Sequence, residues 1–219
     1  MPKKTFENLS EEKRQTIIDA ALIEFSMNEY KIASISKIVK KANISKGSIY
    51  QYFDNKMEFY HYIIKLVTDK KLAYIKSEAG ELQQDFFEFY KQILYASVKF
   101  DINFPKYSRC LYNAGSELNC KDSGYIVDKI ITASNEFIKP FVLQAQRNEV
   151  IRSDIELDLI IFMIMQLSSD LDIYINHKFK FSYQNIIAQG ISLPINENEI
   201  KSIIDNMISF IKTGLIVKQ

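Results

Sequence analysis

Three observations predict an all-α fold. Apolar residues recur at three- and four-residue intervals through most of the 219 residues, only six glycines and four prolines interrupt them, and no run alternates apolar and polar between turn clusters. A hydrophobic content of 47% is ample for one large core or two smaller ones without covalent staples.

The elements follow in order. Residues 1–8 carry Lys3 and Lys4 ahead of any periodic pattern, so they are expected to be disordered and to brush phosphate. Ser10, followed by Glu11 and Glu12, starts a helix whose stripe is Ile17, Ile18, Ala21, Leu22 and Phe25, ending near Asn28. Ile35, Ile38, Val39 and Ala42 then fall on one face of a short helix beginning near Ser34. Asn43 stands where a tight turn needs a residue tolerant of the left-handed region, and Ser45 reads as the N-cap of the next helix. On that helix Ile49 and Phe53 share an inner edge. Gly47, Ser48, Tyr50 and Gln51 occupy the opposite arc, with Lys46 at its flank.

Two short helices joined by a tight turn, the second presenting small and hydrogen-bonding groups outward, suit docking in the major groove of DNA, where such groups meet base edges and phosphates. Charge agrees locally. The chain has a net charge of only +1, so bulk electrostatics cannot supply nucleic-acid affinity. Between residues 31 and 56, however, stand Lys31, Lys37, Lys40, Lys41, Lys46 and Lys56 against Asp54 alone.

Asp54 and Asn55 cap a long helix through Met57, Phe59, Tyr60, Ile63, Ile64, Val67 and Leu72 towards Ser77, with a break at Ala79 and Gly80. Residues 83–102 are apolar over much of a helical circumference, which implies burial on several sides or a cavity on one. A short helix over 107–114 ending at Gly115 is expected after Pro105, then a long one over 125–147 kinked at Pro140, then a polar turn at 148–153. The stretch 156–177 is apolar almost all round until Gln166, as in a helix covered by its own domain and by a partner. Residues 178–194 read as irregular. The last helix is capped by Asn196 or Asn198 and carries the stripe Ile200, Ile203, Ile204, Met207, Ile208, Ile211 and Leu215.

The run Ser45, Lys46, Gly47, Ser48, Ile49, Tyr50, Phe53 and Lys56, within residues 21–64, resembles the signature of the TetR family of transcriptional regulators. Two departures are visible: Glu29 precedes Tyr30 where the family usually has Gly, and Ala33 stands where Thr is common. The resemblance implies an N-terminal three-helix helix-turn-helix DNA-binding domain, 1–54, joined by a long helix to a helical effector-binding and dimerisation domain, 55–219. It places Lys46, Gly47, Ser48 and Gln51 near bases, and Ser34, Tyr50, Tyr52 and Lys56 near phosphates. The implied protein is a homodimer, paired through the helices around 156–177 and 196–218, that represses from an inverted-repeat operator in double-stranded DNA. A small hydrophobic or aromatic effector would release it. Segments 86–104 and 107–137 would wall the effector cavity, with Phe89, Tyr90, Ile93, Cys110, Tyr112, Asn113, Phe137, Met163 and Gln166 as candidate lining residues and Asn135 as a further polar handle. The alternative is a ligand-free architectural or protein-interaction module built on the same helix-turn-helix.

An enzyme is disfavoured. His61 and His177 lie far apart, Cys110 and Cys120 form no metal-ligand spacing and read as reduced thiols, and there is no Gly-rich phosphate loop or paired Glu-x-x-His pattern. No metal or cofactor is expected. The longest apolar run, 159–165, is too short to span a bilayer, and no charged-then-apolar leader opens the sequence, so a cytoplasmic location is expected.

Overall fold

The computed structural model describes residues 2–80, 85–116, 124–189, 191 and 195–217, with backbone only at 124–127. Among them are eleven helices: α1 (Lys4–Glu7), α2 (Glu11–Met27), α3 (Ile35–Lys41), α4 (Lys46–Tyr52), α5 (Lys56–Ala79), α6 (Phe86–Asn103), α7 (Pro105–Ser116), α8 (Gly124–Arg147), α9 (Leu157–Phe179), α10 (Tyr183–Gln189) and α11 (Glu197–Leu215). An isolated antiparallel bridge joins Ile151 to Ile216. The chain groups into two compact units, each discontinuous in sequence. The first is Met1–Lys70, Phe104–Lys129 and Tyr183–Gln189; the second is Lys71–Asn103, Ile130–Ser182 and Gly190–Gln219.

The first unit is built around α2. Its N-cap Ser10 accepts the Lys13 N–H, and Ile17, Ile18, Ala21, Leu22 and Phe25 are all buried. α3 packs on it, with Ile35, Ile38 and Val39 buried, and α4 packs on α1 and α3 with Ile49 buried, while Phe53 and Phe59 complete the aromatic floor at 4.7 Å between centroids. On the other side α2 meets α7. Asn113 Nδ2 donates to the carbonyls of Phe25 (2.9 Å) and Ser26 (3.2 Å), and Cys110 Sγ to that of Leu22 (3.5 Å). Carbonyls at a helix end need donors from elsewhere, so a buried Asn can act as a docking residue there.

Three sequence expectations for local structure are corrected. Residues 1–8, expected to be disordered, contain α1, because Phe6 is buried between the rings of Tyr52, Phe53 and Tyr62 and holds a helix too short to show a period. Residues 178–194, read as irregular, contain α10, held in the first unit by the buried Tyr183, Ile186 and Ile187. The helix after Pro105 starts at Pro105 itself, where a proline lacks an N–H the first turn would not use, and it continues through Gly115 to Ser116.

The second unit has one continuous apolar core drawn from α6, α8, α9 and α11, in which Phe87, Tyr90, Leu94, Val142, Ile160, Ile164, Ile200 and Ile204 are nearly or wholly inaccessible. Tyr90 Oη donates to the Ile164 carbonyl at 2.8 Å and lies 2.6 Å from Ser168 Oγ, so its buried phenol is satisfied. Lys71 Nζ meets both carboxylate oxygens of Asp101, at 2.8 and 3.0 Å. At the far end of the core Arg152 N–H donates to the Leu215 carbonyl, and Ile151 is fully buried. No helix among the described residues is long and apolar enough to cross a membrane.

Candidate nucleic-acid interface

α3 and α4 are each seven residues long, too short to persist alone, so their geometry is set by caps and by the floor beneath. Ser34 Oγ accepts the Lys37 N–H at 3.4 Å. A second acceptor comes from α2: the buried Glu24 carboxylate takes the Ser34 N–H at 2.9 Å and the Asn28 side chain at 3.2 Å. A carboxylate at a helix N-terminus is favoured by the partial positive charge there. At the turn, Asn43 adopts φ 53°, the left-handed conformation anticipated for it. Ser45 Oγ then accepts the Ser48 N–H at 3.1 Å and lies 2.8 Å from Ser48 Oγ.

The Glu29 departure leaves no strain. The described non-glycine residues with positive φ are Asn43, Glu149 and Lys180, so the turn after α2 does not call on a left-handed residue at Glu29. The Glu29 carbonyl instead accepts the N–H groups of Ile32 (3.1 Å) and Ala33 (2.9 Å).

The structure gathers the residues expected to approach DNA on one short helix and its supports. Lys46, Gly47, Tyr50 and Gln51 are exposed on α4, and Ser48 is half-buried under its hydrogen bonds to Ser45. Ser34 lies half-buried at the start of α3. Lys31, Lys37, Lys40 and Lys41 are also exposed. A β-carbon added at Gly47 would meet only Ser45 Oγ at 3.7 Å, an ordinary contact, so nothing inside the protein demands glycine there. Two of the expected residues are engaged inside the first unit. Tyr52 is buried with its ring against Phe6 at 5.7 Å, and Lys56 Nζ donates to the Tyr30 carbonyl while lying 4.4 Å over the Tyr30 ring.

The expected effector residues are dispersed. Cys110, Tyr112 and Asn113 belong to α7 in the first unit, where Cys110 and Asn113 face α2 and burial pushes the Cys110 thiol far above its ordinary pKa; Tyr112 stacks under Arg109 at 4.0 Å. Phe89, Tyr90 and Ile93 are buried in the second unit, and half-buried Phe137 and Phe141 continue from Phe89 with centroid separations of 4.7 Å (Phe89 to Phe141) and 5.7 Å (Phe137 to Phe141). Met163 and Gln166 lie exposed on α9. Cys120 lies outside the described residues.

The same face of α9 exposes Leu159, Phe162 (62%) and Leu167, with Ile173 and Tyr174 further along, and α11 exposes Phe210 (75%). Between these helices is a groove of about 540 Å³ whose walls include Leu171, Tyr174, Ile203 and Met207. No grouping of three His, Cys, Asp or Glu side chains suited to a metal occurs among the described residues.

A capped helix pair carrying an exposed polar arc and a lysine-rich rim defines a helix-turn-helix DNA-binding protein. Residues 17–63 match the model of the bacterial regulatory proteins, tetR family. A TetR-family transcriptional regulator from Chloroflexus aurantiacus has a similar structure over 100% of both chains, with a TM-score of 0.79 and 26% identity. The HTH-type transcriptional regulator SrpR of Pseudomonas putida is 26% identical over 158 residues, 68% of this chain and 67% of that protein. The uncharacterized HTH-type transcriptional regulator YhgD of Bacillus subtilis is 30% identical over 92 residues, a match that covers 42% of this chain and about half (48%) of the relative. Residues 17–63 therefore carry the DNA-binding region of the tetR family, in a chain whose fold is similar from end to end to that of a TetR-family transcriptional regulator.

Proposed function

We propose that the protein is a homodimeric repressor that reads an inverted-repeat operator with two copies of α4 and leaves it when a small apolar or aromatic effector binds. The observation that carries the DNA part is the exposed arc of Lys46, Gly47, Tyr50 and Gln51 over the buried Ile49, with a glycine that the interior does not require. Lys46, Gly47, Ser48 and Gln51 meet base edges; Ser34 and Tyr50 hold phosphates; Tyr52 anchors the end of α4 on Phe6, and Lys56 ties the turn before α3 to the start of α5. Residues 1–54 form the reading domain and residues 55–219 the effector-binding and dimerisation domain.

One seven-residue helix touches too few bases to find a site in a genome, so two copies in successive major grooves are required. The second copy is brought by the exposed apolar faces of α9 and α11, a density of large hydrophobic side chains that isolated chains rarely leave in water. Phe89, Tyr90, Ile93 and Phe137 are the apolar side chains assigned to the effector's wall. The effector acts by favouring a conformer in which the two α4 helices no longer match the groove spacing. Native mass spectrometry of protein purified gently from its host tests this reading. A dimer carrying a releasable small molecule is expected, and a strict monomer both alone and on DNA would overturn it.

A further inference from the structure

The last carbonyls of a helix have no partners within it, and in a seven-residue helix they are a large share of the total. In α4 the Ile49 carbonyl is taken by the Phe53 N–H at 2.8 Å. The next three are taken by a segment more than 40 residues away in sequence. Lys3 Nζ donates to the Tyr50 carbonyl at 3.2 Å, Thr5 Oγ1 to the Gln51 carbonyl at 2.6 Å, and the Lys3 N–H to the Tyr52 carbonyl at 2.9 Å. Lys3 also pairs with Asp54 at 2.6 Å, and its hydrogen bond and charge hold the Asp54 carboxyl below the usual range.

This segment is anchored independently of α4. Phe6 is 1% exposed, in ring contact with Tyr52, Phe53 and Tyr62, and Arg14 of α2 donates to the Glu7 carbonyl at 2.8 Å. A lysine beside the C-terminus of a helix also complements its partial negative charge. Residues 3–6 are therefore held at both ends and spend their donors on the end of α4.

We infer that residues 3–6 are a clamp that sets the pitch and rigidity of the recognition helix, with Lys3 and Thr5 as positioning residues for Gln51 rather than as phosphate contacts. The inference rests on α4 being the reading element. Its chemistry is specific: the residue expected to select bases, Gln51, has its own carbonyl fixed by Thr5, so the backbone that aims its side chain is held from behind. Loss of the clamp frays the last turn, spreads the orientations of Gln51, and lowers affinity for the preferred sequence more than for arbitrary duplex.

The experiment uses the full chain with Thr5→Val, which keeps the shape and removes the donor, Lys3→Met, which keeps the stem, and Lys3→Arg, which restores a donor and the charge. Amide hydrogen exchange at Tyr52 and Phe53 is read without DNA. Affinity for the selected duplex and for an unrelated one is then read against salt. Faster exchange at both amides in Thr5→Val and Lys3→Met is expected, with about tenfold weaker binding to the preferred duplex, an unchanged salt slope, and recovery in Lys3→Arg. Unchanged exchange would overturn the clamp. So would a Lys3→Met variant whose salt slope falls equally on both duplexes while Thr5→Val is silent, because that result makes the segment a phosphate arm. A wild-type protein that prefers no duplex would sink the reading of α4, and the exchange measurement would still judge the clamp.

Discussion

Lys56 Nζ, at the first residue of α5, donates to the carbonyl of Tyr30 in the turn after α2 and lies over the Tyr30 ring. The ring of Tyr30 in turn lies 5.1 Å from that of Tyr60, so one lysine ties the turn before α3 to the helix after α4. Substitution by methionine keeps the aliphatic stem and removes the donor. A cost of about 1–2 kcal/mol is expected, seen as a melting midpoint lower by a few degrees, with the salt slope of DNA binding nearly unchanged. A slope reduced by about one, with no change in melting, would return Lys56 to the phosphate contacts.

Gly47 separates stability from function. With room for a β-carbon and no positive φ, Gly47→Ala relieves the entropic penalty of glycine in a helix and is expected to stabilise the protein by about 0.5–1 kcal/mol. The added methyl faces outward, where it blocks close approach of the backbone to DNA. A higher melting midpoint combined with operator affinity weaker by about tenfold or more is predicted. An alanine variant that binds as well as wild type would show that nothing approaches α4 closely at this position.

His61 gives the first unit a pH dependence. Burial, and then the positive charge of Lys129, hold its pKa below the ordinary value of about 6.5. Between the two values the unfolded chain binds a proton that the folded chain refuses, so stability rises with pH across that window. Thermal melts should show stability falling as the pH drops below about 6.5, and a shallower dependence in His61→Asn. Equal slopes in the two proteins would remove His61 as the cause.

The faces of α9 and α11 set the oligomeric state in this account. Phe162→Asp and Phe210→Asp place a charge on positions that are 62% and 75% exposed in the single chain, so the fold should tolerate them. If these faces meet a second copy, burying the carboxylate is costly, and sedimentation should show a shift from dimer to monomer with secondary structure unchanged. Dimers that persist in both variants would place the seam elsewhere.

Much of the reading element was legible because local chemistry determines it. The stripe of Ile35, Ile38, Val39 and Ala42, the left-handed Asn43 and the cap at Ser45 are one-residue requirements that few alternatives meet. What was hidden depends on distant partners. The four residues of α1 carry no period, and Phe6 is legible as an anchor only once Tyr62 is known to lie beside it. α10 is only seven residues long, too short to show a clear helical period in the sequence. Asn113 has the aromatic sequence neighbourhood expected of a polar handle, yet its side-chain amide donates to the carbonyls of Phe25 and Ser26. Met163 and Gln166 illustrate a further limit, since periodicity shows that a helix is amphipathic and not whether a given edge meets its own core or another chain.

The most direct measurement is selection by the full-length protein from a random pool of duplexes, followed by a determination of how many chains bind each selected site. Enrichment of an inverted repeat whose halves are centred one helical turn or a small multiple apart, roughly 10 base pairs per turn, occupied by two chains, is expected. Gln51→Ala should alter the half-site preference. Enrichment of a single unrepeated site bound by one chain, or no enrichment at any salt concentration, would contradict the proposed function.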